Sequence, residues 1–236
     1  MRKLDTSIRY FLVQRLQISN VEAANWICSG RVVVNGQTVS VHYQLQPTDT
    51  IWLDGEVLRE GKEFVYLAFY KPRGIETTLN AQIPGNLYSV INLEPDLVPI
   101  GRLDKESEGL LLLSNDGRIY NKILMSHHKQ EKEYLVTTDK PVTEQQLLDL
   151  ADGIEIMKKK TNSAIVERVN VNTFKIILTE GRNRQIRRMC YKLGLEVSKL
   201  IRIRMMHIVL GSLAPGQFRH LEKHEVSEIL NRIGCN

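Results

Sequence analysis

Asp104 lies between Arg102 and Lys105 in GRLDKESEGLLLLSNDG (101–117), just ahead of four consecutive leucines that read as a strand of the core. Cations beside a carboxylate favour its charged form, so Asp104 is equipped either to attack an electrophilic carbon or to remove a proton. The same residues make an ordinary Arg–Asp turn pair. A buried strand at 110–113 would anchor the carboxylate rigidly, as a reacting group requires. A second concentration of chemistry is RNRQIRRMCYKLGLEVSKLIRIR (182–204), which holds eight basic residues against Glu196 alone in a chain of net charge +5. Arg184, Arg187 and Arg188 belong to its helical part, and Arg202 and Arg204 share one face of the strand after it. Positive charge gathered in one segment fits a polyanionic partner, because counterions released locally drive the association. Nucleic acid is the expected partner, and a solvated basic helix face is the alternative.

Other chemistries find little in the chain. Cys28, Cys190 and Cys235 form no CxxC pair and leave an odd thiol under any disulfide scheme, which fits a reducing compartment. His127 and His128 are adjacent, so their side chains point apart and make a poor metal pair. No stretch approaches the length of a membrane span and MRKLDTSIRY lacks the apolar run of a secretory signal, so a cytoplasmic protein is expected. Neither a GxGxxG nor a GxxxxGK[ST] loop is found, and no cofactor or metal is expected.

Two segments must position these residues. Ile8, Phe11, Leu12 and Leu16 recur at helical spacing, and Ser19-Asn20-Val21-Glu22 reads as a capping box opening a second helix that Gly30 ends. Asn35-Gly36 within VVVNGQTV signals a hairpin, and IWLDGEVL supplies further strand. This places a small domain at 1–60, a linker at EGKE (60–63) and a larger domain at 64–236. In the larger domain FVYLAFYKPRG, the leucine run, KEYLVTT, SAIVERV, FKIILTEG and KLIRIRMMHIVLG read as strands. Thr143 to about Asp152, NRQIRRMCYKLGL and HEVSEILNRI read as helices. Ile186, Met189, Cys190 and Leu193 fall on one helical face. Helices interspersed without βαβ rhythm predict an α+β domain on a mainly antiparallel mixed sheet.

Residues 5–58 resemble the small RNA-binding module first described in a small-subunit ribosomal protein, the S-four-type module, departing from it at SNVEA, where relatives more often carry arginines. GRLDKESEGLLLLSNDG, with YKPRG, EKEYLVTTDKPVT and EGRNRQIRRMCYKLGLEVSKLIRIRMMHIVLG in the same order, resembles the ribosomal small- and large-subunit group of pseudouridine synthases, which isomerise uridine to its carbon-linked form within RNA. Among them, the wording of EKEYLVTTDKPVT and NRQIRRMCYKLG is most similar to a bacterial branch acting on large-subunit ribosomal RNA, with tRNA as a further substrate. The resemblance implies that Asp104 acts on the flipped uridine and that Arg102 enters the RNA stack in its place. It also implies that Tyr134 lies against the uracil, that Arg187 pairs with the aspartate and that Leu200 packs near the base. Arg184, Arg188, Arg202 and Arg204 would then hold the RNA backbone. A monomer is expected, since no coiled coil is evident. Two other readings compete: a non-enzymatic RNA-binding protein, and an RNA glycosidase or nuclease pairing Asp104 with Glu106 or Glu108. A methyltransferase is not indicated, since the nucleotide-cofactor loop is missing.

Overall fold

A computed structural model of the chain describes residues 7–91, 96–124 and 130–234; His127, His128, Cys235 and the first two residues of the 5–58 resemblance lie outside them. The chain divides into two compact units, Met1–Phe64 and Val65–Asn236. Among the described residues no helix is long and apolar enough to cross a membrane.

The first unit begins with α1 (Ile8–Leu16) and α2 (Asn20–Cys28). Ser19 caps α2 by accepting from Glu22 N, and the Glu22 carboxylate accepts from Ser19 N in return, so two orphan amides are satisfied. Gly30, at φ 74°, takes the left-handed conformation that ends the helix. Strands β1 (Val32–Val34) and β2 (Gln37–Thr38) join through Asn35-Gly36, and β3 (Ile51–Leu53) and β4 (Glu56–Arg59) through Asp54-Gly55. All four turn residues have positive φ, as a two-residue hairpin turn requires. The sheet order is β2-β1-β3-β4, and Ile8, Leu12, Ala23, Ile27, Val32 and Ile51 are among the residues that fill the core against it.

The second unit is an α+β domain. In chain order it contains β5 (Tyr66–Lys71), a 3-10 turn (Leu87–Ser89), β6 (Val98–Ile100), β7 (Glu108–Ser114), α3 (Gly117–Leu124) and β8 (Lys132–Thr138). Then follow α4 (Glu144–Asp152), the hairpin β9 (Glu155–Ile156) and β10 (Lys159–Lys160), β11 (Ile165–Asn170), β12 (Thr173–Leu178) and α5 (Gln185–Lys192). β13 (Val197–Met205), β14 (Ile208–Val209), β15 (Phe218–His220) and α6 (Lys223–Arg232) close it. A nine-stranded sheet runs β11-β12-β8-β13-β7-β5-β15, with β14 on β13 and β6 on β7. Only the β13–β7 contact is parallel among its strand pairs, so the sheet is mixed and mainly antiparallel.

That parallel contact is short. β13 pairs with β8 over seven register positions but with β7 over two, Ile201 with Glu108 and Arg202 with Gly109. Gly109 is what lets the strands meet: at φ 104°, a Cβ there would run into the Arg202 backbone nitrogen and carbonyl oxygen. Two apolar clusters flank the junction. One gathers Val136, Phe174, Ile176, Ile186, Met189 and Leu200, and the other Leu67, Phe69, Leu87, Leu103, Leu111 and Leu113. Tyr134 packs against both. Leu110 to Leu113 are all at most 1% exposed, and burying each stabilises the strand by on the order of 2 kcal/mol relative to exposure.

Candidate active site

The loop ahead of β7 is pinned residue by residue. Thr77, itself buried, donates its hydroxyl to Leu103 O at 2.7 Å and accepts from Leu103 N at 3.1 Å. Gly74 N donates to Lys105 O at 2.7 Å and Ser107 N to Asp104 O at 3.0 Å. Arg187 Nη2 donates to Glu106 O at 3.0 Å, while its Nη1 reaches Val197 O at 2.9 Å and so ties the loop to β13. Lys71, fully buried, donates Nζ to Pro72 O and Ile75 O at 2.8 and 2.7 Å. It thereby shapes the turn that offers Gly74 to the loop. Burial pushes Lys71 down to about 8 against the attraction of Glu108, with Arg202 adding to the fall and Asp104 opposing it. The Asp104 backbone is thus held before any substrate arrives, which is what electrostatic preorganisation demands.

Asp104 lines a cavity of about 460 Å³ together with Arg102, Tyr134, Leu200, Arg184 and Arg202. β8 supplies Tyr134 and β13 supplies Leu200 and Arg202, and Tyr134 stands directly opposite Arg202 in the register. Arg102 is exposed at the rim. Glu106 and Glu108 do not line this cavity among the described residues. Glu106 turns to Arg184 at 2.8 Å, which holds its carboxyl below the usual range, and Glu108 to Lys199 at 3.5 Å. The paired-carboxylate arrangement of a glycosidase or nuclease therefore does not form around Asp104 with either of them.

Three expectations change. Arg187 feels the charge of Asp104, but its described hydrogen bonds go to the two backbone carbonyls, and its ion-pair partner is Glu106 at 4.0 Å. It lines a second cavity of about 900 Å³, beside Arg188 and Tyr191. Burial lowers its pKa, with the attraction of Glu106 opposing the shift. Arg202 is 2% exposed rather than open to an RNA backbone: its Nε donates to Leu110 O at 2.6 Å and its Nη1 to Arg102 O at 3.5 Å, so the guanidinium turns in against β7 and the loop ahead of it. Arg204 is held by Glu133 at 2.7 Å and Glu131 at 3.1 Å. The remaining two behave differently from these: Arg184 precedes α5 as its N-cap in a left-handed conformation and touches both cavities, and the exposed Arg188 guanidinium, among the described residues, bonds Asn183.

Sequence reasoning passed over Lys132 and Ser107, which also line the Asp104 cavity, and Lys71 as a buttress. Lys132 opens KEYLVTT two residues before Tyr134, so the alternation of a strand puts both side chains on one face. That was the available signal.

The chain is similar to known proteins. Residues 65–192 match the family described as RNA pseudouridylate synthase, and residues 8–51 match the S4 domain. The chain is 36% identical over 233 residues to the dual-specificity RNA pseudouridine synthase RluF of Escherichia coli K12, covering 97% of this chain and 80% of that protein. It is 32% identical over 228 residues to the ribosomal small subunit pseudouridine synthase A of the same organism, covering 93% and 98%. A solved structure described as the crystal structure of pseudouridylate synthase superposes with a TM-score of 0.67 at 30% identity, over 95% of this chain and 99% of that one.

Proposed function

The chain belongs to the RNA pseudouridylate synthase family, and from that premise we propose that it isomerises a uridine of large-subunit (23S) ribosomal RNA, with a tRNA uridine as second substrate. The observation that carries the site assignment is the meeting of Asp104, Tyr134 and Leu200 in one cavity at the end of a loop held through its own backbone. The RNA class is supported by the S4 match and by relatives named for dual specificity and for the ribosomal small subunit. The large-subunit target rests on the wording of EKEYLVTTDKPVT and NRQIRRMCYKLG.

Uridine within a structured RNA hides its reacting atoms, so the nucleotide is extruded into the cavity at an unstacking cost of a few kcal/mol. Arg102, at the rim, fills the vacated stack. Asp104 acts on the extruded nucleoside, and the bond between N1 and C1′ breaks. The uracil turns while captive, C5 joins C1′, the C5 proton leaves and N1 gains one. Atoms balance with no net oxidation. Leu200 and Tyr134 exclude water and so suppress loss of free uracil. Arg187 acts as a positioning residue through Glu106 O, and Arg184 and Arg188 hold the RNA backbone. The enzyme works in the cytoplasm as a monomer. Mapping pseudouridine in ribosomal RNA and tRNA from cells with and without the gene tests this. One or more large-subunit sites should vanish and return on complementation; an unchanged map of both RNAs overturns the assignment.

A further inference from the structure

The second cavity, of about 900 Å³, adjoins the one that holds Asp104, since Arg184 lines both. Its wall is built from the outer face of α5 and the tip of the β9–β10 hairpin. Arg188, Tyr191 and Lys192 share that face at i, i+3 and i+4, while Ile186, Met189 and Cys190 turn into the core. Tyr191 is 79% exposed and Met157, at the hairpin tip, is 63% exposed, so two large side chains with apolar surface lie open in one cavity. Met157 and Lys158 both take positive φ, at 52° and 62°, a conformation costly for residues other than glycine. Arg182 braces this hairpin by donating to Lys159 O at 2.9 Å and Lys160 O at 2.7 Å, and it lines the Asp104 cavity itself. Two acids of the second cavity are committed, Glu106 to Arg184 at 2.8 Å and Asp139 to Glu196 N at 2.7 Å. Exposed Arg188 and Lys192 are left to face an anion.

We infer that this cavity seats a second unstacked nucleotide of the substrate RNA, a near neighbour in sequence of the extruded uridine. Its base lies on Tyr191 and Met157, and its phosphate meets Arg188 and Lys192. This rests on the pseudouridine synthase reading above and adds a selectivity site outside the Asp104 cavity. An aromatic face set among cations holds single-stranded nucleic acid whatever its base, because every base has a π-face. A thioether, being flexible and polarizable, adapts to the ring that it meets. A merely solvated helix face would require neither the open ring nor a cavity in front of it. Arg184, common to both walls, stands where the RNA chain passes from one cavity to the other. A neighbour held in this way offsets part of the cost of unstacking the target. A base-paired neighbour cannot enter, so the cavity favours uridines in loops and bulges over those within a continuous stem.

The test is a set of single-turnover rates, measured against enzyme concentration, on a stem-loop RNA spanning the mapped uridine, with an abasic residue placed at each neighbouring position in turn. Tyr191 is exposed on α5, so its substitution leaves the fold in place. Tyr191→Ala should raise the enzyme concentration giving half the maximal rate by about 5- to 150-fold, the range for one base stacked on an aromatic ring. The rate at saturation should fall less, and Tyr191→Phe should restore the native behaviour. With the native enzyme, an abasic residue at one neighbouring position should cost a similar factor, and it should add little to the loss already present in Tyr191→Ala. A Tyr191→Ala enzyme that keeps the native half-maximal concentration, or abasic losses that add in full to that variant's at every position, overturns this inference alone. A native chain that leaves every uridine unchanged overturns the functional reading and this inference with it.

Discussion

Lys71 and Lys132 are cations in a dry setting, each pushed down to about 8, first by burial and further by the charge of Arg202. From pH 8 up to the ordinary lysine value of 10.5, the unfolded chain binds more protons at these positions, so they make stability rise with pH. Cys190, pushed by burial from 9.0 to about 12, works the other way above pH 9. The lysine contribution is therefore clearest between pH 8 and 9, where denaturant midpoints should rise for the native chain and less for Lys132→Met. Arg187→Met removes two bonds from a mostly buried guanidinium to backbone carbonyls. It should cost about 2–4 kcal/mol and lower kcat more than it raises KM; unchanged unfolding and kinetics would deny Arg187 its positioning role. Asp104 stood out as a carboxylate between two cations ahead of a leucine run, a placement that an ordinary turn pair shares, and its catalytic role came from the resemblance of the motif around it. Arg202 was misplaced because an arginine in an alternating strand reads as solvent-facing until the strand's neighbours are known. Here its guanidinium turns in to the carbonyls of Leu110 and Arg102.

Among the elements, the β7–β13 junction depends on one missing side chain. Gly109→Ala would drive a Cβ into Arg202 backbone atoms, and a backbone clash in the core should cost more than about 4 kcal/mol. Thermal unfolding checks this, and a midpoint close to the native one would mean the strands can part without loss. Ser19→Ala, by contrast, removes one cap from an exposed helix end and should cost about 1 kcal/mol. Elements with local signatures were readable: the capping box at Ser19, the helix beginning at Thr143, the Asn35-Gly36 hairpin and the Ile186–Met189–Cys190 face all form. α3, β6 and β15 were not. SNDG reads as a turn, yet Asp116 is buried, bonded to the Tyr66 hydroxyl and Arg118, and leads into a helix. β15 is three residues of which none is fully buried, so only pairing with β5 defines it.

At the scale of the whole molecule, much of the basic character of 182–204 is already spent. Arg182 serves Glu180 and the carbonyls of Lys159 and Lys160, Arg187 and Arg202 serve the loop, and Arg204 two glutamates. Charge counted along the chain therefore overstates the field offered to RNA, and exposed Arg188 and Lys192 carry more of it than their share suggests. Replacing either by alanine should reduce the slope of log affinity against log salt by about 0.7 to 0.9, whereas Arg204→Gln should change it little. Equal slopes for all three would return the RNA surface to the reading from composition. We propose that Asp104, held by its own loop, performs the isomerisation. Release of tritium from ribosomal RNA labelled at uridine C5 tests it most directly. The native chain should release tritium and leave RNA of unchanged mass containing pseudouridine, while Asp104→Asn should bind the same RNA and release none. Equal release from both, or free uracil or cut strands in place of pseudouridine, would contradict the account.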